Sequence, residues 1–144
     1  QDMYDAVTEE AKNSDIIIKA AAVADYTPLN VSDNKIKKKD GDMSIALKRT
    51  KDIIGTLGEH KKEGQFICGF SMETENVIAN SKDKLIKKNM DMIVANNVKV
   101  AGAGFGTDTN VVTIITGEDN IELPMMSKED VASKILDFIM AKRR

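Results

Sequence analysis

The run Asp15-Ile16-Ile17-Ile18-Lys19-Ala20-Ala21-Ala22-Val23-Ala24 decides the fold class. It is apolar almost throughout and β-branched in its first half, without the alternation of a strand that keeps one wet face. Such a segment suits a parallel sheet covered by helices on both faces. Phe66-Ile67-Cys68-Gly69-Phe70 and Met92-Ile93-Val94-Ala95 have the same character, which makes three candidate central strands. Between the last two, residues 74–89 read as a helix with Val77, Ile78, Leu85 and Ile86 on its core side and charges elsewhere. Strand, helix and strand in that order form a crossover, so the expected fold is α/β with a mostly parallel sheet.

Working outward, residues 2 to about 13 predict a helix: Met3, Val7 and Ala11 repeat every four residues, and Asp2 and Asp5 suit the positive end of its dipole. Ile45 and Leu47 suggest a short alternating strand. Val111 to Thr116 and Ile121 to Leu123 flank Gly117-Glu118-Asp119-Asn120, which predicts an antiparallel C-terminal hairpin. Ser127 and Asp130 then cap a last helix through about Lys142, with Val131, Ile135, Phe138 and Ile139 facing inward. An open parallel sheet normally starts with a strand and a phosphate-binding glycine turn. This sequence starts at the helix, so the expectation is that an N-terminal βα unit is absent and that residues 1–144 form a single, N-terminally incomplete domain.

With 144 residues, 42% hydrophobic and 31% charged, the chain can bury a core without a disulfide or metal staple. Cys68 is the lone cysteine, which excludes an intrachain disulfide and a cysteine zinc site and points to the cytoplasm. No run of 18 apolar residues exists to span a membrane. Lys and Arg number 21 against 23 Asp and Glu, and no basic patch is interleaved with aromatics, so nucleic acid is not an expected partner. Locally the balance changes. Lys35, Lys37, Lys38, Lys39, Lys48, Arg49 and Lys51 stand against only Asp40 and Asp42.

Asp25 and Tyr26 fall just past an apolar strand, where ligands bind in open α/β sheets. A plain turn cap before Pro28 is an equally open reading of Asp25. Lys35-Ile36-Lys37-Lys38 lies ten residues on, in a turn-rich loop. A solvated charge run is the commoner meaning, but a loop of lysines near a metal-binding carboxylate is also what a nucleoside triphosphate site requires. Ala101-Gly102-Ala103-Gly104-Phe105-Gly106 has the spacing G-x-G-x-G with no helix after it, so it fails the dinucleotide fingerprint and reads as a loop. His60, the only histidine, reads as surface, and Cys68 as a small core residue. No Ser-His-Asp set or metal-ligand cluster is visible.

Taken together, Ala21-Ala22-Val23-Ala24-Asp25-Tyr26, Lys35-Ile36-Lys37-Lys38, Gly69-Phe70-Ser71-Met72-Glu73-Thr74-Glu75, Lys84 to Asn89, Asp91-Met92-Ile93-Val94-Ala95-Asn96 and Gly104-Phe105-Gly106-Thr107-Asp108-Thr109-Asn110 resemble phosphopantothenoylcysteine synthetase. That enzyme is the C-terminal half of a bifunctional coenzyme A biosynthesis flavoprotein whose other half is a decarboxylase. The resemblance spans nearly the whole chain. It implies a Rossmann-like, dimeric ligase that joins cysteine to 4'-phosphopantothenate through a CTP-activated acyl-cytidylate, with Mg2+ at the triphosphate. FMN would belong only to a fused decarboxylase domain. By the same resemblance Lys35 closes over the site and is needed for conversion of the acyl-cytidylate, and Asp25 sits at the triphosphate and its metal. Lys19, Ala20, Ala21, Lys51, Asp52, Ile53, Ile54, Phe70, Lys84 and Lys88 line or hold the nucleotide. An asparagine-proline pair of the family is replaced by Thr50-Lys51, which favours backbone over side-chain contacts there. The family's glycine turn, an intermediate-gripping asparagine and the main dimer motif would precede Gln1, so the chain alone is expected to show weak or no ligase activity. Lys39, Lys48 and Arg49 keep the reading of solvated surface. The competing readings are a Rossmann-like dinucleotide-binding or reductase domain and a noncatalytic assembly domain of a flavoprotein. CTP preference over ATP discriminates the ligase.

Overall fold

The computed structural model describes residues 1–38, 40–72, 76–97 and 106–143. The glycine-rich stretch 101–105, Lys39 and Glu73 to Glu75 lie outside the described residues, as does the start of the helix expected at 74.

The main sheet has five strands: β1 (Ile16–Lys19), β4 (Phe66–Met72), β5 (Met92–Asn96), β7 (Val112–Ile115) and β8 (Asn120–Glu122), adjacent in that order. β1, β4 and β5 run parallel, with Ile18 opposite Cys68 and Cys68 opposite Met92. β7 joins β5 antiparallel and β8 closes the expected hairpin. The α/β expectation therefore holds. Two ribbons flank the sheet: β2 (Tyr26–Pro28) with β3 (Leu47–Arg49), and β6 (Thr109–Asn110) with β9 (Met126–Ser127).

Helices cover both faces. Successive strand side chains point to opposite sides. Phe66, Cys68, Met92, Val94, Val112 and Ile114 therefore meet Val131, Ile135 and Ile139 of α4 (Lys128–Lys142), while Ile67 and Ile93 meet the other layer. That second layer holds α1 (Asp2–Glu10), followed by a 3-10 turn at Ala11–Asn13, α2 (Ile53–Glu59) and α3 (Val77–Lys87). Ser127 caps α4, its Oγ accepting from the Asp130 N–H at 3.0 Å and donating to the Asp130 carboxylate at 2.7 Å. Cys68 is fully buried; burial first, and then the charge of Asp91, push its thiol up to about 12, so it stays protonated and inert. Among the described residues no helix is long and apolar enough to cross a membrane.

Four details differ from the sequence reading. The first apolar run stops being a strand at Lys19, because the alanines after it offer little side chain to pack across a sheet. In α3 the inward row is Val77, Ser81 and Leu85, and Ser81 is fully buried with its hydroxyl 3.0 Å from that of Ser71. That helical phase turns Ile78 and Ile86 outward, leaving them 41% and 74% exposed. Tyr4 and Val7 of α1 and Ala11 of the 3-10 turn pack against the core while Met3 faces out. The bounds and apolar face of α2 were not read, because Gly55 and Gly58 interrupt the row of Ile53, Ile54 and Leu57, although His60 at its end had a helical reading.

Candidate functional site

β1 ends at Lys19, and the chain leaves the sheet through the alanines to Asp25 before forming the β2–β3 ribbon. Thr50 fastens that ribbon back onto the exit: its N–H donates to the Asp25 carbonyl at 2.9 Å and its hydroxyl to the Ala24 carbonyl at 2.7 Å. Two residues later Asp52 caps α2, accepting from the Gly55 N–H at 3.1 Å. These turns enclose a cavity of about 420 Å³ at the carboxyl end of β1, lined by Lys19, Val23 to Tyr26, Arg49 to Ile54, and Lys88.

The lining brings four cations, Lys19, Arg49, Lys51 and Lys88, to two carboxylates, Asp25 and Asp52. The Lys88 ammonium lies 2.9 Å from the Asp52 carboxylate. Lys19 donates to the Ala21 carbonyl at 3.3 Å, and Lys51 lies 4.4 Å above the Tyr4 ring. With Asp52 matched by Lys88, the remaining balance is positive, so the cavity suits an anion. Ile53 and Ile54, 4% and 7% exposed and part of the core, also line the cavity.

Of the residues expected at a nucleotide site, Lys19, Asp25, Lys51, Asp52, Ile53, Ile54 and Lys88 line this one cavity. Ala20 and Ala21 are exposed on the chain entering it. Lys84 lies one turn before Lys88, its carbonyl accepting the Lys88 N–H at 3.0 Å. Phe70, 39% exposed, stands near the carboxyl end of β4, opposite Val94. Lys35 is not among the lining residues; it lies in the exposed loop between β2 and β3. Arg49 is exposed, as expected, and it also lines the cavity, which the sequence reading did not anticipate. The missed signal was its register: Arg49 pairs with Tyr26, the residue after Asp25.

Burial tends to raise the Asp52 pKa, but the Lys88 hydrogen bond, the Gly55 N–H and the charges of Lys88 and Lys19 together pull it below the usual carboxylate value. A depressed folded pKa contributes stability above the unfolded value near 4 and loses it as pH falls through the folded value. Asp52→Asn keeps a capping side chain but removes the charge. Because the pair is partly exposed, the expected loss at pH 7 is modest, at most about 1 kcal/mol. In urea melts the gap between wild type and variant should narrow from pH 7 to pH 3. A gap independent of pH would mean that Asp52 acts only as a cap.

The fold and its cavity define an α/β domain with a cation-rich cavity outside the carboxyl end of a parallel strand. Residues 1–142 match the family described as DNA/pantothenate metabolism flavoprotein C-terminal domain, and the chain belongs to it. It is 53% identical over 141 residues to the coenzyme A biosynthesis bifunctional protein CoaBC of Bacillus subtilis (strain 168), covering 97% of this chain and 34% of that protein. It is 46% identical over 140 residues to a cysteine/cysteine sulfinic acid decarboxylase from an unknown prokaryotic organism, covering 96% of this chain and 39% of that protein. A crystal structure of the C-terminal domain of a CoaBC superposes with a TM-score of 0.78 at 44% identity, covering 99% of this chain and 63% of that one. The chain thus spans little more than a third of the curated relatives it matches.

Proposed function

We propose that this domain works in coenzyme A biosynthesis as the phosphopantothenate–cysteine ligase part of a CoaBC-like protein, using CTP. The observation that carries this reading is the cationic cavity beside Asp25, with Lys19, Lys51 and Lys88 converging where the resemblance puts the nucleotide. A carboxylate is a poor acyl donor until one of its oxygens becomes part of a good leaving group, and bringing it to a triphosphate requires neutralised charge. In the proposed reaction the pantothenate carboxylate oxygen bonds the α-phosphorus and pyrophosphate leaves. The cysteine amine then bonds the acyl carbon, CMP departs with that oxygen, and the amine proton passes to water.

Among the described residues no cluster of three metal-ligating side chains exists. A single free carboxylate, Asp25, suits Mg2+ held mainly by substrate phosphates and water, which is how that ion binds at nucleotide sites. There it would neutralise phosphate charge. FMN is assigned to a decarboxylase part of such a polypeptide, outside these residues. A cytoplasmic homodimer is the proposed setting. Lys35 would reach the site by closure of the β2–β3 loop.

The test supplies the full-length natural polypeptide with CTP, Mg2+, cysteine and 4'-phosphopantothenate labelled with 18O in its carboxylate. One 18O should appear in CMP, with stoichiometric pyrophosphate and amide product. Lys35→Ala should leave pyrophosphate release from the first turnover while cutting amide formation by roughly 100-fold or more. Release of nucleoside diphosphate, or turnover with ATP and not CTP, would sink the reading.

A further inference from the structure

Arg49 stands apart from the other cations of the cavity. Lys88 is paired with Asp52, Lys19 is bound to a carbonyl and Lys51 rests on Tyr4. The Arg49 guanidinium touches only the Tyr26 ring, 6.0 Å from its centroid, at the outer reach of a cation–π contact. Its N–H donors hold no carboxylate or carbonyl among the described residues. Its backbone is nonetheless fixed: Arg49 is the cross-strand partner of Tyr26, and the next residue, Thr50, makes two hydrogen bonds to the chain at Ala24 and Asp25. The main chain at Arg49 and at Asp25 is therefore one clamped unit, and both residues line the same cavity.

We propose that Arg49 is the residue of this cavity that reads polyphosphate, clamping the triphosphate of the nucleotide beside Asp25. This rests on the nucleotide reading above. An arginine presents a planar fork that two phosphate oxygens can fill together, which a lysine ammonium cannot reproduce. The phosphate of 4'-phosphopantothenate offers similar oxygens from a second source. The triphosphate is favoured because a ligand that meets both an arginine and a carboxylate in one cavity needs its own divalent ion, and a polyphosphate brings one.

Calorimetric titration of the full-length natural polypeptide with CTP, CMP, inorganic tripolyphosphate and 4'-phosphopantothenate, each with Mg2+, tests this on wild type, Arg49→Gln and Arg49→Lys. Arg49→Gln should weaken CTP and tripolyphosphate by roughly 10- to 100-fold, the range for a lost charged hydrogen-bond pair. CMP and 4'-phosphopantothenate should change by less than about threefold, and Arg49→Lys should recover only part of the loss. Equal weakening of CTP and CMP, an unchanged CTP affinity, or weakening confined to 4'-phosphopantothenate would overturn the assignment. A wild type that binds tripolyphosphate but not CTP would overturn the nucleotide reading and leave Arg49 to be judged on tripolyphosphate. Binding of neither would overturn both.

Discussion

Gly58→Ala should destabilise the domain by about 3 kcal/mol and lower its melting temperature by roughly 10 °C, although alanine is the better helix former. Gly58 lies inside α2, where propensity alone would make alanine favourable by about 1 kcal/mol. Packing reverses the sign. A Cβ at this position would fall onto the Lys88 carbonyl oxygen, 2.7 Å from the carbonyl carbon and 3.3 Å from the Asn89 Cβ. The neighbour is backbone, at the end of α3, and Asn89 locks the approach by donating its amide to the Gly58 carbonyl at 2.9 Å. Asn89 itself adopts a left-handed φ of 47°, so the turn has little freedom to retreat. Lys88 carries a cavity cation, so nucleotide binding should weaken with stability. Gly117→Ala is the control: its Cβ meets nothing within 4 Å, and its effect should stay within about 0.5 kcal/mol. An unchanged or raised melting temperature for Gly58→Ala would remove close backbone packing as the reason for glycine there.

The same site shows which features a sequence can display. The central strands were legible because burial on both faces requires unbroken apolar runs, and Ile67, Met92, Ile93 and Val94 are each at most 1% exposed. The α4 cap and the hairpin were legible because both depend on local chemistry at fixed spacing. The phase of α3 was not, since residues 77, 81 and 85 include a serine whose burial depends on Ser71 in another element. For α2, Gly58 weakens a helix in isolation but lets it press against the end of α3, and Gly55 leaves room for the Asp52 cap, reasons visible only in three dimensions. Arg49 was hidden similarly: in the chain it is one of a run of basic residues, and only the antiparallel register opposite Tyr26 brings it to the cavity that Asp25 also lines. What links Lys19, Asp25, Asp52 and Lys88 in one cavity is topology, the return of the chain through Thr50 and the arrival of α3 from the far side of β4.

Asp25→Asn should separate the two readings of that residue, with the largest effect expected on chemistry. Its structural contribution is a main-chain one, the carbonyl that accepts from Thr50, and asparagine preserves it. Stability should therefore change by less than about 0.5 kcal/mol. The carboxylate is what asparagine removes. If Asp25 helps hold Mg2+ at the triphosphate, kcat/KM for CTP should fall by roughly 100- to 1000-fold, an ordinary cost for losing a group that organises charge at a reacting phosphate. The sign should reverse in magnesium-free buffer. There the carboxylate only repels the triphosphate, so the asparagine variant should bind CTP as well as wild type or better, by up to roughly tenfold. Titrations of CTP with and without Mg2+ read this directly. Equal weakening in both buffers would make Asp25 a hydrogen-bonding ligand of the nucleotide rather than of its ion. No change in either binding or turnover would return it to the turn before Pro28, with Lys19, Arg49, Lys51 and Lys88 left to neutralise the triphosphate.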